Sequence, residues 1–285
     1  MSADEHAPAR LSEPELADLT ARFGGDDEGV EALGLTGSYA RGQATAHSDV
    51  DLLRFVAAEP ESDRERYRLR PVDGRLVSVS TTTLASKRAE LARPETAIWA
   101  VGGLRQTRVL VDRAGGLAAL VAEACAFTWT PALRAAAADH ASDTLAGLAE
   151  EAHKALGARE RGDESAMLYA TLGLQQVLIR VALVARGALL ESENEWFDAA
   201  LRLEPPDSRW RRLLRVVVGY DAPPAGMSPA RGRTEAALWL YVEAARLLAD
   251  MLTAEDAALV AETVARIRVA LAGREMRDLE ESENA

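Results

Sequence analysis

The change in hydrophobic pattern near residue 117 most constrains what this chain can fold into. Before it, short apolar stretches separated by turn residues predict strands interleaved with helices, whereas after it long Ala- and Leu-rich helical patterns follow. The predicted strands lie near residues 32–37, 50–56, 67–70, 75–81 and 107–111. The later helices are predicted near residues 131–157, 164–187, 207–218, 234–252 and 254–271. We therefore predict an α+β chain, in which residues 1–120 form a small mixed β-sheet flanked by helices and residues 121–285 form an all-α helical bundle.

The charge of the chain narrows the class of partner. The formal net charge is −12 and the isoelectric point is near 5.0. Proteins bind a nucleic-acid backbone mainly with clustered Lys and Arg, so this charge argues against a nucleic-acid partner. An acidic surface suits a cationic small molecule, although the same charge also serves solubility alone.

Cysteine use and hydropathy predict a cytoplasmic protein. Cys125 is the only cysteine, so no intramolecular disulfide can form and a reducing compartment is expected. The first residues are polar and lack the basic-then-apolar order of a signal peptide. The most apolar stretch, residues 166–190, contains Gln175, Arg180 and Arg186, which would be costly in lipid. We therefore predict a buried central helix and no membrane partner.

One short segment carries the residues that point to chemistry. Gly37 and Ser38 follow a predicted strand and open a short helical turn, whose backbone N–H groups can donate to phosphate oxygens together with the Ser38 hydroxyl. Asp49 and Asp51 are two residues apart on the next strand, so both project from one face. Adjacent carboxylates repel unless a cation lies between them, and Mg²⁺ accepts carboxylate and phosphate oxygens together. The pattern predicts phosphoryl or nucleotidyl transfer, and the alternative is a solvated strand edge.

This segment, Gly37-Ser38-(x)10-Asp49-x-Asp51 with apolar residues around the aspartates, resembles the signature of the DNA polymerase β-type nucleotidyltransferase superfamily. The resemblance implies a nucleotidyltransferase domain in the N-terminal part, with Asp49 and Asp51 as catalytic residues that bind Mg²⁺. It also implies that Gly37 and Ser38 contact the phosphates of ATP or another nucleoside triphosphate. Arg41 is either a further phosphate contact or a plain surface cation.

One position departs from the family pattern. Members usually present a third carboxylate on the strand that here contains Ser78, and a neutral serine cannot act as a base near neutral pH. Either a carboxylate of the helical domain replaces it, or one metal suffices, or transfer activity has been lost. Resemblance to aminoglycoside-type relatives implies that Glu150 or Glu151 is the base and that Lys154 contacts the triphosphate. For each of these three residues, a helix-surface charge is the alternative.

The helical C-terminal part and the overall length resemble small-molecule nucleotidyltransferases that adenylylate aminoglycoside or lincosamide antibiotics. This resemblance implies Mg²⁺-dependent transfer of a nucleoside monophosphate, AMP from ATP, to a hydroxyl of a small polar acceptor, whether an antibiotic or another compound. Two alternatives remain: a nucleotide-binding protein without transfer activity, and a transferase acting on a protein or tRNA, as in toxin–antitoxin relatives. The sequence leaves the oligomeric state open, a homodimer included.

Overall fold

The computed structural model describes residues 9–25 and 29–272. These residues divide into two compact units. The first unit comprises the described residues up to Trp129 together with the short segment Leu189–Glu193, and the second comprises Thr130–Ala188 and the described residues from Asn194 onward. The polar start of the chain, which contributes to the expectation of a cytoplasmic protein, lies in residues 1–8, outside the described residues.

The first unit contains a five-stranded mixed sheet. Its strands are β1 (Val30–Thr36), β2 (Val50–Val56), β3 (Tyr67–Val72), β4 (Arg75–Thr82) and β5 (Arg108–Asp112), in the order β3-β4-β2-β1-β5. β2 and β4 run parallel, and the other neighbouring strands run antiparallel. Its helices are α1 (Glu13–Gly24), α2 (Gly37–Arg41), α3 (Asp63–Arg66), α4 (Leu84–Leu91), α5 (Pro94–Arg105) and α6 (Gly116–Cys125). The predicted small mixed sheet with flanking helices is confirmed, and α3 and α6 lie where no helix was predicted.

The alternating side chains of β2 give the sheet two buried faces. On one face, Val50 and Leu52 pack with residues of α1. On the other face, Phe55 packs with residues of α5 and α6. Because successive side chains of a strand point to opposite faces, Asp51 lies on the same face as Phe55, near the start of β2.

The second unit is built from helices. They are α7 (Pro131–Gly147), α8 (Ala149–Arg161), α9 (Glu164–Arg186), α10 (Trp196–Arg202), α11 (Arg209–Val218), α12 (Pro229–Leu247) and α13 (Ala254–Leu271). The predicted all-α part is therefore confirmed, but the single helix predicted near residues 131–157 is wrong. Two helices meet there at Gly147 and Leu148. Glycine inside a helix costs about 1 kcal/mol relative to alanine, which favours a break at this point.

α9 is the apolar helix that the sequence predicted to be central and buried. Among the described residues it is the one helix long and apolar enough to cross a membrane. In the structure, 61% of its most apolar 18-residue window is buried inside the protein. Arg180 and Arg186 of this helix are exposed. This burial pattern is that of a core helix with one solvated side.

Candidate active site

The two halves of the sequence motif meet where β1 passes into α2. Thr36, the last residue of β1, pairs with Asp51 of β2, and Gly37 then begins α2 with a φ of +68°. A Cβ atom added at Gly37 would fall on Oδ2 of Asp51. Glycine is therefore required here for two reasons: the backbone conformation is one that L residues rarely adopt, and the Asp51 carboxylate approaches the backbone closely.

The start of α2 keeps its first N–H groups without a side-chain cap. Thr36 at the N-cap makes no side-chain hydrogen bond to the helix. Its hydroxyl instead donates to the carbonyl oxygen of Gly103 at 3.2 Å. The first N–H groups of a helix have no partner within the helix, and an anion can satisfy them. Gly37 and Ser38 provide the first two of these groups, at the point where the sequence predicted phosphate contacts.

Ser78 lies beside Asp51 across the parallel pair of β2 and β4. The two residues are register partners, so their side chains share one face of the sheet. Ser78 is 4% exposed, and its hydroxyl donates to Asp51 Oδ1 at 2.6 Å. The position at which relatives present a third carboxylate therefore holds a neutral donor that fixes the orientation of the Asp51 carboxylate.

The environment of Asp51 disfavours its negative charge. Burial raises the pKa of Asp51, and the negative charges of Asp49 and Glu193 raise it further, against the hydrogen bond from Ser78 and the positive charge of Arg41. Among the described residues, the ion pairs of the first unit join other side chains, and neither aspartate belongs to one. A bound cation would offset this repulsion.

The two aspartates fit a magnesium ion that also takes substrate oxygens. The described residues contain no group of three or more His, Cys, Asp or Glu side chains placed to hold a metal by themselves. Mg²⁺ commonly takes one or two carboxylates and completes its shell with water and phosphate oxygens. Asp49 and Asp51 supply carboxylate oxygens of this kind, and the close approach of Gly37 to Asp51 places the phosphate-binding turn beside them.

Arg41 is held in the first unit by three hydrogen bonds. Its side chain donates to Gln43 Oε1 at 2.9 Å, to Gln106 Oε1 at 2.6 Å and to the carbonyl oxygen of Glu191 at 3.1 Å. Gln106 Nε2 donates to the same carbonyl oxygen at 3.0 Å. Arg41 therefore anchors the segment Leu189–Glu193 within the first unit, and its charge also acts on Asp51.

Glu193 is an acidic residue that the sequence analysis missed. It ends the segment Leu189–Glu193, whose Leu190 N–H donates to the carbonyl oxygen of Ile98 at 2.8 Å. Its side chain is exposed, and its charge reaches Asp51. Only the folding of a distant piece of chain into the first unit brings this carboxylate near the aspartates, so no local pattern signals it.

The other predicted residues lie in the second unit, in the first two turns of α8. Lys154 Nζ lies 2.7 Å from Glu151 Oε1 and 2.9 Å from Glu150 Oε1. Hydrogen bonds to Glu151 and Glu150 raise the pKa of Lys154. Glu151 Oε2 is buried without a hydrogen-bond partner, whereas the Glu150 side chain is 74% exposed. The three residues form one cluster in which Lys154 offsets one of the two negative charges.

An open groove of about 1030 Å³ lies on the face of the sheet opposite Asp51. Four arginines line it, Arg22, Arg54, Arg68 and Arg70, together with Glu59, Glu61 and Glu65. Neither aspartate contributes to its lining. This groove is therefore separate from the candidate active site.

Comparison with known proteins finds a family that the N-terminal part resembles. Residues 20–97 match the model of a family described as the nucleotidyltransferase domain, and this range contains the glycine turn, both aspartates and Ser78. No curated protein is significantly similar to the chain. Among solved structures, the chain is similar to a nucleotidyltransferase-like protein from Exiguobacterium sibiricum, with 14% sequence identity and a TM-score of 0.46, over 92% of this chain and 79% of that chain.

Proposed function

We propose that the chain transfers a nucleoside monophosphate, AMP from ATP, to a hydroxyl of a small acceptor. The transfer would be carried out by residues 20–97, which match the nucleotidyltransferase-domain family and resemble the polymerase β-type superfamily. Nucleotidyl transfer is the general chemistry of such a domain. What we propose in addition is that ATP is the nucleotide, Mg²⁺ the metal and a small hydroxyl compound the acceptor. The single cysteine and the partly buried apolar helix support a cytoplasmic setting.

The contact between Gly37 and Asp51 is the observation that carries the proposal. A triphosphate that bridges a glycine turn and a metal ion needs both within about 10 Å of each other. The Gly37 backbone lies directly against the Asp51 carboxylate. In the proposed complex, the N–H groups of Gly37 and Ser38 donate to phosphate oxygens, and Arg41 adds positive charge beside them.

Asp49 and Asp51 would hold Mg²⁺, which when bound neutralises charge on the phosphate oxygens. Ser78 orients Asp51 because its hydroxyl donates to Asp51 Oδ1, which leaves Oδ2 directed at Gly37. The acceptor hydroxyl forms a new bond to the α-phosphorus, loses its proton to a base, and displaces pyrophosphate. The residues of the chain thus bind the nucleotide, align it with the acceptor and take the proton of the acceptor hydroxyl.

The base must be another group, because the neutral Ser78 hydroxyl cannot take this proton near neutral pH. The resemblance assigns the base to Glu150 or Glu151, with Lys154 on the triphosphate. We favour Glu193 because it belongs to the first unit and its charge reaches Asp51, whereas Lys154 already pairs with both α8 carboxylates. The α8 residues remain the competing assignment.

Transfer from α-labelled ATP in the presence of Mg²⁺ tests the proposal. Wild-type protein is incubated with a panel of small hydroxyl compounds, with cell protein and with tRNA, and Asp51→Asn serves as the inactive control. We expect label on a small compound with wild type only. Label on protein or tRNA would support the macromolecular alternative. Nucleotide binding without any labelled product would support a protein that has lost transfer activity, the alternative that Ser78 favours.

A further inference from the structure

Three uncharged side chains form an exposed shelf on the first unit. The shelf consists of Tyr67 and Leu69 on β3 and Leu76 on β4, which are 51%, 51% and 49% exposed. β3 is the outer strand of the sheet, next to β4. Neighbouring large apolar side chains with half of their surface in water favour an apolar ligand.

The strand register places this shelf on the face of Asp51. Asp51 pairs with Ser78, and Ser78 pairs with Leu69, so the three side chains form a row across β2, β4 and β3. Tyr67 lies two residues from Leu69 on the same face, and Leu76 lies two residues before Ser78. Strands are spaced by roughly 4.8 Å, so the Leu69 backbone lies about 10 Å from that of Asp51.

The direction from Asp51 to the shelf is the direction from which an acceptor must come. In nucleotidyl transfer, the attacking and leaving oxygens lie on opposite sides of the phosphorus. Gly37 and Ser38, the proposed phosphate contacts, follow β1 on one side of β2. Ser78 and the shelf lie on β4 and β3, on the other side of β2. An acceptor whose hydroxyl reaches the phosphorus beside Asp51 therefore extends over Ser78 and the shelf.

The chemistry of this surface excludes a highly charged acceptor. The side chains of β3 and β4 on this face are all uncharged: Tyr67, Leu69, Pro71, Leu76, Ser78 and Ser80. The charged residues of β3, Arg68 and Arg70, line the groove on the opposite face. Leu76 also lines a small pocket with Glu15 and Asp73, but the strand side chains between the shelf and Asp51 carry no charge for a polycation to pair with. An apolar frame would remove the exposed surface of the shelf from water.

We propose that the acceptor presents its hydroxyl on a neutral, largely apolar frame that packs on Tyr67, Leu69 and Leu76. The inference rests on the proposed function and narrows the acceptor class. The net charge of the chain had suggested a cationic acceptor. We now expect a neutral one, because the net charge is a property of the whole surface and the strand side chains beside Asp51 are uncharged.

The test compares two acceptor sets of similar size with α-labelled ATP and Mg²⁺. One set contains neutral alcohols on aromatic or hydrocarbon frames, and the other contains sugar alcohols with several amino groups. We expect label on the first set. Leu69→Ser and Leu76→Ser should each raise the KM of the labelled acceptor about tenfold, because half of a leucine surface loses its partner. Arg68→Ser and Arg70→Ser are matched controls on the opposite face and should leave KM unchanged.

A binding assay separates failure of the inference from failure of the proposed function. The Kd of a non-hydrolysable ATP analogue with Mg²⁺ should be equal in wild type and in the two leucine variants. No analogue binding to wild type would overturn the proposed function and the inference with it. If wild type binds the analogue, three results would overturn the inference but not the proposed function. These are label on the charged set only, label on neither set, and equal shifts of KM in the leucine and arginine variants. A wild-type dimer that Leu69→Ser dissociates without a change in KM would assign the shelf to a second copy of the chain and overturn the inference as well.

Discussion

Two acidic pairs of this protein, Asp49 and Asp51 in the first unit and Glu150 and Glu151 in the second, are held in different ways. In the second unit, Lys154 lies within 2.9 Å of both Glu150 and Glu151. In the first unit, Asp51 accepts a hydrogen bond from a neutral hydroxyl, and among the described residues neither it nor Asp49 has an ion-pair partner. A lysine of the same helix offsets half of the charge of the Glu150 and Glu151 pair, whereas the Asp49 and Asp51 pair has no cationic side chain bound to it among the described residues.

This difference in cationic partners indicates which acidic pair needs a functional explanation. Glu150 and Glu151 lie in the first turn of α8, where a negative charge stabilises the helix end, and Lys154 is their neighbour one turn later. These effects account for two carboxylates at the start of α8, although Glu151 Oε2 is also buried without a hydrogen-bond partner. They do not account for Asp51, whose burial beside Asp49 opposes its charge.

The largest expected effect is the loss of transfer in Asp49→Asn and Asp51→Asn. Each change removes a proposed metal ligand, and metal stabilisation of phosphate charge contributes several kcal/mol, so kcat should fall at least about a thousandfold. Asp63→Asn, at a carboxylate that is 99% exposed, is the matched control and should be silent. Near-normal turnover in both active-site variants would rule out a metal site at these aspartates.

The next largest effect should come from the base. Glu193→Gln should lower kcat by roughly 10²–10⁴-fold, the usual range for general acid–base catalysis. Glu150→Gln and Glu151→Gln should change kcat by less than about threefold, since these carboxylates already pair with Lys154. A large fall in one α8 variant, with Glu193→Gln silent, would assign the base to α8.

Gly37→Ala should destabilise the first unit more than Gly42→Ala. Both glycines have positive φ angles, +68° and +70°, so both alanine variants carry a similar backbone cost of about 1 kcal/mol. Only at Gly37 does the new Cβ meet a neighbour, the Asp51 carboxylate; at Gly42 nothing lies within 4 Å. Urea unfolding should show a further loss of roughly 1–3 kcal/mol in Gly37→Ala. Equal losses would mean that Asp51 does not approach the turn.

The smallest effect should be a pH-dependent difference in melting temperature. Burial raises the pKa of Asp51, so the folded protein holds this proton more tightly than the unfolded chain does. The Asp51 contribution to the free energy of unfolding therefore falls as pH rises through the folded pKa. Metal-free Asp51→Asn should melt above wild type at neutral pH, and the difference should shrink toward about pH 4. Thermal unfolding with a chelator measures it, and a pH-independent difference would mean that Asp51 is well solvated.

The sequence predicts the parts of the site that depend on local spacing. The strand period places Asp51, and a turn after β1 places Gly37 and Ser38; both patterns act over a few residues. Asp49 was expected on the same strand but lies one residue before β2, with its charge still acting on Asp51. The family pattern pointed to Ser78 as the position of the third carboxylate, and the structure shows that Ser78 is the register partner of Asp51. Its hydrogen bond to Asp51 depends on side-chain geometry, which no sequence pattern specifies.

What the sequence does not predict depends on contacts between distant residues. Glu193 joins the first unit because Arg41 and Gln106 bind the carbonyl oxygen of Glu191, far away in the chain. The break at Gly147 was missed because the apolar pattern continues through it, and the backbone cost of one glycine is small against the packing of a helix. The neutral shelf was not predicted, because the net charge of the chain is a sum over all residues and does not describe one part of the surface.

Calorimetric titration with a non-hydrolysable ATP analogue and Mg²⁺ tests the central claim, a metal–nucleotide site at Asp49 and Asp51, most directly. We expect wild type to bind the analogue in a Mg²⁺-dependent manner, and Asp51→Asn to bind it at least about tenfold more weakly, since it removes half of the carboxylate pair. Lys154→Ala, which alters the acidic pair of the second unit, should match wild type. Equal affinity in wild type and Asp51→Asn, with weaker binding only in Lys154→Ala, would contradict the assignment of the site to the first unit.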